Sequence, residues 1–193
     1  MNKWIRRKRN SHGYGVQSPS DFFFVQHVLR EEMPYYGYSE LQQAEGEFST
    51  SLPRYSMSIN RLLFRLANHV HPRQVIEVGT GAGLATYAMA KAVPSGYCVT
   101  IDSSHQHTEE VVSALARFAQ VSVLNGDEMA LPHVGDGSLF IIEGIDADAD
   151  KRAWWETLQE SLHAVVSYDV DSVGLLRFDK ARYKNRYWIS LKK

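Results

Sequence analysis

Apolar and polar positions divide the 193-residue chain into a short leader and a longer body of alternating helices and strands. In the leader, Phe22, Val25, Val28 and Leu29 recur at helical spacing behind the polar pair Ser20 and Asp21. This predicts a helix that opens at that pair and stops at Pro34. A second short helix is expected from Ser39. From Ser58 the positions Ile59, Leu62, Leu63, Leu66 and Val70 mark an amphipathic helix closed by His71 and Pro72. The pattern then changes period. Val75 to Val78 reads as a buried strand, and Leu84, Tyr87, Ala88 and Lys91 as a helix ending at Pro94. A strand from Tyr97 to Ile101, a helix from Glu109 to Phe118, and strands over Val121 to Leu124 and Leu139 to Ile142 follow. Lys151 to Leu162 reads as a helix, and Ala164 to Tyr168, Val173 to Phe178 and Tyr187 to Leu191 as three strands in quick succession.

Strands alternating with helices predict an α/β fold, a Rossmann-like and mostly parallel sheet flanked by helices, with ligands at the carboxyl ends of the strands. The closely spaced last strands predict an antiparallel C-terminal edge. No fixed-period repeat is visible, so the expected organisation is a basic, helical N-terminal extension over 1–57 and one domain over 58–193. In the leader, Phe22, Phe23, Phe24, Tyr35, Tyr36 and Tyr38 are expected to pack on the domain rather than line a cleft.

Composition narrows the class. With 44% hydrophobic and 22% charged residues the chain can bury a core, which excludes low-hydrophobicity disorder, and a single cysteine, Cys98, excludes a disulfide scaffold. That thiol suits a cytoplasmic protein. No apolar run approaches the ~18 residues of a membrane span, and the basic first nine residues lack an apolar segment behind them, so neither a membrane partner nor secretion is expected. The net charge of −1 conceals +5 over residues 1–11, +6 over 177–193 and −12 between. Two readings follow for the basic ends: solvated tails, which is the simpler, or contact with an anionic partner such as a nucleic acid.

The most informative segment runs from Val75 through Glu77, Gly79, Thr80, Gly81, Ala82 and Gly83 to Leu84. A strand enters three alternating glycines and leaves as a helix, so the backbone can turn tightly and approach a ligand at the helix N-terminus. The dinucleotide fingerprint wants glycine or alanine three residues after its second glycine, and Leu84 stands there. A phosphate-binding P-loop is excluded because no Gly-Lys-Ser/Thr follows.

Glu77, Gly79, Gly81 and Gly83 resemble the acidic-x-Gly-x-Gly-x-Gly loop of class I S-adenosylmethionine-dependent methyltransferases, and the resemblance covers most of the chain from about Ser58. It implies that S-adenosylmethionine lies against Glu77, Gly79, Thr80, Gly81 and Gly83. Asp102 and Ser103 would stand at the ribose and Gly126 and Asp127 near the adenine. Asp102 suits its role, since a carboxylate can accept from both ribose hydroxyls. The resemblance further implies methyl transfer to an acceptor that the sequence does not identify. Residues 11–19, 60–66 and 173–178 are similar to bacterial, largely uncharacterised members of the superfamily, and a homodimer is compatible with it.

One departure qualifies that reading. The family plan has a further helix and strand between the fourth strand and the last helix, and only residues 144–150 are available for them. A non-catalytic nucleoside-binding or interaction module is therefore the alternative. Glu143, at the end of the fourth strand, is the candidate catalytic group, as a general base or as a positioning group for the acceptor. The acidic stretch from Glu143 to Asp150 resembles a metal-binding segment of catechol-type enzymes, but a solvated loop that caps the following helix is the favoured reading, and no metal is expected. No Asn/Asp-Pro-Pro-aromatic tetrapeptide follows the fourth strand, which removes support for amino-group methylation. Cys98 and Trp155 are expected in the core and Trp154 at its rim.

Overall fold

A computed structural model describes residues 3–48, 55–78, 80–102, 109–116, 118, 121–125, 139–161, 166–178 and 183–191. The chain forms two compact units, Met1–Arg30 with Leu131–Lys193, and Glu31–Ala130. The boundary expected at residue 57 lies inside the second of these.

The Glu31–Ala130 unit carries a three-stranded parallel sheet, β1 (Gln74–Val78), β2 (Tyr97–Asp102) and β3 (Val121–Asn125), in spatial order β1-β2-β3. Around it are α3 (Tyr36–Ala44), α4 (Met57–Val70), α5 (Leu84–Ala92) and α6 (Glu109–Leu115). The amphipathic stripe of α4 buries Ile59, Leu62, Leu63 and Leu66 as its spacing requires. The helix ends at His71, whose left-handed backbone (φ 47°) terminates the hydrogen-bond ladder one residue before Pro72. Helix α3 starts at Tyr36 rather than Ser39. Its Gly37 lies under the Phe64 ring, where a Cβ would come within 2.4 Å of Cε2. Tyr35, Tyr36 and Tyr38 surround Phe64 edge-on, so these aromatics pack within this unit.

In the other unit, β4 (Leu139–Glu143), β5 (Val166–Val170), β6 (Val173–Arg177) and β7 (Asn185–Ile189) form a four-stranded sheet in the order β4-β6-β5-β7. Strand β6 runs antiparallel to both neighbours, whereas β7 runs parallel to β5. The antiparallel strand is thus interior, and the expected antiparallel edge is corrected: the C-terminal strand is the edge, but in parallel pairing. The cause is the connection between β5 and β6. Only Asp171 and Ser172 join them, Asp171 takes a left-handed φ of 53°, and so short a link forces antiparallel adjacency. After β4, the described residues contain one helix, α7 (Ala149–Ser161), followed by β5, β6 and β7. Trp155 of α7 is fully buried with Ile145 and Leu176, and its indole lies over Gly174, while Trp154 is half exposed.

The N-terminal segment departs most from expectation. Residues 3–11, read as a solvated tail, form α1 (Lys3–Ser11), which packs on β7. Strand β7 uses one edge to pair with β5, leaving alternate backbone N–H groups pointing outward. Two of these are met from α1: Trp188 N donates to Asn10 Oδ1 (3.3 Å) and Ser190 N to Ser11 Oγ (2.8 Å). The sheet edge is covered by polar side chains of a basic helix. Helix α2 (Pro19–Phe24) begins at a Ser18 cap, ahead of the expected pair, and continues as a π-helical turn over Val25–Leu29. Asp21 is buried and accepts from the hydroxyls of Tyr168 (3.0 Å) and Tyr187 (3.1 Å), tying α2 to β5 and β7.

Candidate functional site

The carboxyl ends of β1, β2 and β3 lie together because the strands are parallel. The turn at residues 80–83 leaves β1 there, and the register sets Asp102, last in β2, beside Asn125, last in β3. The turn closes through Gly83 N donating to Thr80 O at 2.9 Å. Gly81 and Gly83 both have positive φ, 50° and 84°. At Gly83 glycine is required twice over: a side chain would be strained by φ, and a Cβ would meet Val111 Cγ1 at 2.9 Å and Phe48 Cε1 at 3.2 Å. Gly83 then opens α5, whose first turn has no side-chain cap and presents its positive dipole end at the turn.

Beneath the turn is a hydrogen-bonded group of four side chains. Thr100 is the cross-strand partner of Glu77 and donates to its Oε2 at 2.7 Å. The Thr86 hydroxyl, from the first turn of α5, donates to the same oxygen. Thr80 Oγ1 and Thr100 Oγ1 are 2.7 Å apart. A hydroxyl has one hydrogen, and that of Thr100 goes to the carboxylate, so Thr80 is the donor to Thr100. Thr80, Thr86 and Thr100 are all buried. The charge of Glu77 is felt nearby: burial first, and Glu77 second, push the Cys98 thiol up to about 12. Cys98 is a core residue, as expected.

The structure therefore brings Glu77, Thr80, Gly81, Gly83 and the backbone of Asp102 to one sheet end. Gly79, Ser103, Gly126 and Asp127 lie outside the described residues. Glu143 ends β4 in the other unit, opposite Val173 of β6. Thr86 and Thr100 were not singled out from the sequence, although Thr100 offered a signal. A hydroxyl in the buried strand Tyr97-Cys98-Val99-Thr100-Ile101 demands an internal partner.

The acidic stretch after β4 is occupied by protein groups. Asp148 Oδ1 accepts from Lys151 N at 2.7 Å and so caps α7. Asp146 pairs with Arg152 (2.8 Å) and faces Arg7 at 3.9 Å. Arg7 and Arg152 also flank Asp169, a buried residue of β5, one on each carboxylate oxygen, with Arg152 at 2.6 Å. Burial opposes the Arg152 charge, but its hydrogen bonds to Asp169 and Glu156, together with the charges of Asp169 and Asp146, outweigh that effect, and the guanidinium is held charged more firmly than usual. Among the described residues no helix is long and apolar enough to cross a membrane.

No protein-family model matches the sequence, and no curated protein is similar to it. Solved structures are similar in fold. The O-methyltransferase TomG from Streptomyces achromogenes, involved in tomaymycin synthesis and solved in complex with SAM, is 18% identical with a TM-score of 0.53, covering 93% of this chain and 99% of that one. The O-methyltransferase from Bacillus cereus in complex with SAH is 17% identical, TM-score 0.55, over 79% of this chain and 96% of that one. A methyltransferase from Geobacter sulfurreducens is 18% identical, TM-score 0.54, over 79% and 95%. The likeness is one of fold: this chain is similar to these three proteins in its Rossmann-like α/β fold.

Proposed function

We propose that this chain binds S-adenosylmethionine at the carboxyl ends of β1, β2 and β3 and transfers its methyl group to an acceptor. The observation that carries the proposal is the left-handed turn at Gly81 and Gly83, set between a parallel strand and an uncapped helix N-terminus. When bound, the cofactor supplies a sulfonium-activated methyl group open to in-line displacement. Gly81 and Gly83 let the backbone approach the amino-acid end, and the positive end of α5 attracts its carboxylate. Asp102 would accept from the ribose hydroxyls together with Ser103, and Gly126 and Asp127 would hold the adenine. Holding the acceptor in line with that methyl group is most of what such a displacement needs from a protein.

Calorimetry of the full chain with S-adenosylmethionine and S-adenosylhomocysteine tests this. Binding is expected, with affinity cut at least tenfold by Asp102→Ala; no binding at millimolar ligand refutes the proposal. Transfer of a radiolabelled methyl group into a cell extract then tests catalysis. The single helix after β4 among the described residues, and the engagement of Asp146 and Asp169 by arginines, favour a second reading, a binding module without transfer. Cofactor binding with no labelled product is its signature. Among acceptors, a nucleic acid reached through the basic ends predicts salt-sensitive binding that is lost on deleting residues 1–11.

A further inference from the structure

We infer that Thr100 is a positioning residue for the cofactor: through Glu77 and Thr80 it fixes the 80–83 turn against the strand that ends in Asp102. The inference rests on the cofactor reading above and deepens it. Four connections make a closed circuit. Thr80 holds Thr100 with its hydroxyl and Gly83 N–H with its carbonyl. Gly83 launches α5, and Thr86 three residues on returns to Glu77. Glu77 stands three residues before Thr80 on β1 and accepts from Thr100. Every member but one lies within residues 77–86. Thr100 alone comes from another strand, and two residues beyond it β2 ends at Asp102.

The register explains why a side chain is needed. Backbone pairing of β1 with β2 runs from Gln74 opposite Tyr97 to Val78 opposite Ile101 and is finished before the turn begins. What ties the turn itself to β2, among the described residues, is the Thr80 to Thr100 hydrogen bond. The direction of that bond matters as well. Because Thr100 gives its one hydrogen to Glu77, its oxygen is left as an acceptor, and the Thr80 hydroxyl is directed into the protein. The turn then presents backbone, and not the Thr80 hydroxyl, to a ligand.

Thr100→Val keeps the shape and removes the hydroxyl, leaving the Thr80 hydroxyl without its acceptor and Glu77 short of a donor. Loss of a buried hydrogen bond to a charged group corresponds to about 10- to 100-fold. Calorimetry with S-adenosylhomocysteine and with adenosine, which lacks the amino-acid end, separates positioning from general damage. S-adenosylhomocysteine is expected to bind about 10- to 100-fold more weakly to Thr100→Val, and adenosine within about threefold of wild type, since Asp102 stays on a strand paired through its backbone. Thr100→Ser, which restores the hydroxyl, is expected to recover affinity. Thr86→Val, which removes the second donor to Glu77, is expected to show the same selective loss and stands in if Thr100→Val does not fold. Unchanged S-adenosylhomocysteine affinity, equal losses for both ligands, or no recovery with serine overturns the inference while leaving the cofactor reading intact. Failure of the wild-type chain to bind S-adenosylhomocysteine overturns both.

Discussion

Asp169 is nearly inaccessible, at 2% exposure, and each of its carboxylate oxygens faces a guanidinium, Arg7 from α1 and Arg152 from α7. Asp169→Asn replaces one of those oxygens with an amide nitrogen, so two sets of donors confront each other in a buried place. Breaking a buried ion pair by removing one partner costs about 3–5 kcal/mol. The lower end applies here because Arg152 keeps Asp146 and Glu156 as acceptors and Arg7 keeps the carbonyl of Asp171 at 3.1 Å. A loss of about 3 kcal/mol corresponds to about 6–12 °C in Tm for a chain of this size. Urea unfolding followed by circular dichroism measures the loss directly, with the slope m as the check that one cooperative transition is being read. Arg7→Ala in the same cycle tells whether α1 contributes, since the double variant should lose less than the sum of the singles. Trypsin adds an independent readout: Arg7→Ala is expected to release α1 and hasten cleavage within residues 1–15. If Asp169→Asn unfolds at the wild-type midpoint with unchanged m, or if the two substitutions simply add, the ion pair does not hold α1 to the sheet.

Two further perturbations test the packing inside each unit. The Cys98 thiol, raised from 9.0 to about 12 by burial, binds its proton more tightly folded than unfolded. Its contribution to stability is therefore complete below pH ~9 and is lost as pH rises from there toward 12, by about 2 kcal/mol at pH ~10.5. Iodoacetamide should label Cys98 rapidly in urea and hardly at all in the native chain at pH ~8.5; rapid native labelling would contradict its burial. Gly174→Ala places a Cβ 2.6–2.8 Å from three carbons of the Trp155 indole, which is expected to cost about 1–3 kcal/mol and to shift tryptophan fluorescence. A variant with wild-type stability would show that α7 is free to move off β6.

The elements easiest to read were those whose side chains report one-sided burial. Helix α4 follows its apolar stripe, and β1, β2 and β4 follow short apolar runs bounded by turns. The glycine turn was legible because its glycines answer to backbone constraints that no other residue meets. Helix α1 was not legible, because its docking face is made of Arg7, Asn10 and Ser11, which by composition belong to a solvated tail. What recruits them is the edge of β7, nearly 180 residues away in sequence. Strands β5 and β7 came out two residues from their expected spans, where the Asp171–Ser172 link and the α1 contacts set the register rather than local apolarity. The site divides the same way: Glu77, Gly81 and Gly83 form a local pattern, whereas Thr100 acquires its role only when β2 is laid against β1.

Covering β7 with α1 has a consequence for the order in which the chain can fold. During synthesis α1 emerges long before its partner, since Asn10 and Ser11 bond to Trp188 and Ser190, 178 and 179 residues later. The loop closure that unites them is long, and contacts of such sequence separation form late and slowly. Until Trp188 and Ser190 have left the ribosome, Asn10 Oδ1 and Ser11 Oγ cannot accept from them. The Glu31–Ala130 unit, whose sheet pairs only neighbours in sequence, is under no such delay. The glycine turn at residues 80–83 can therefore be in place while Leu131–Lys193 is still being made.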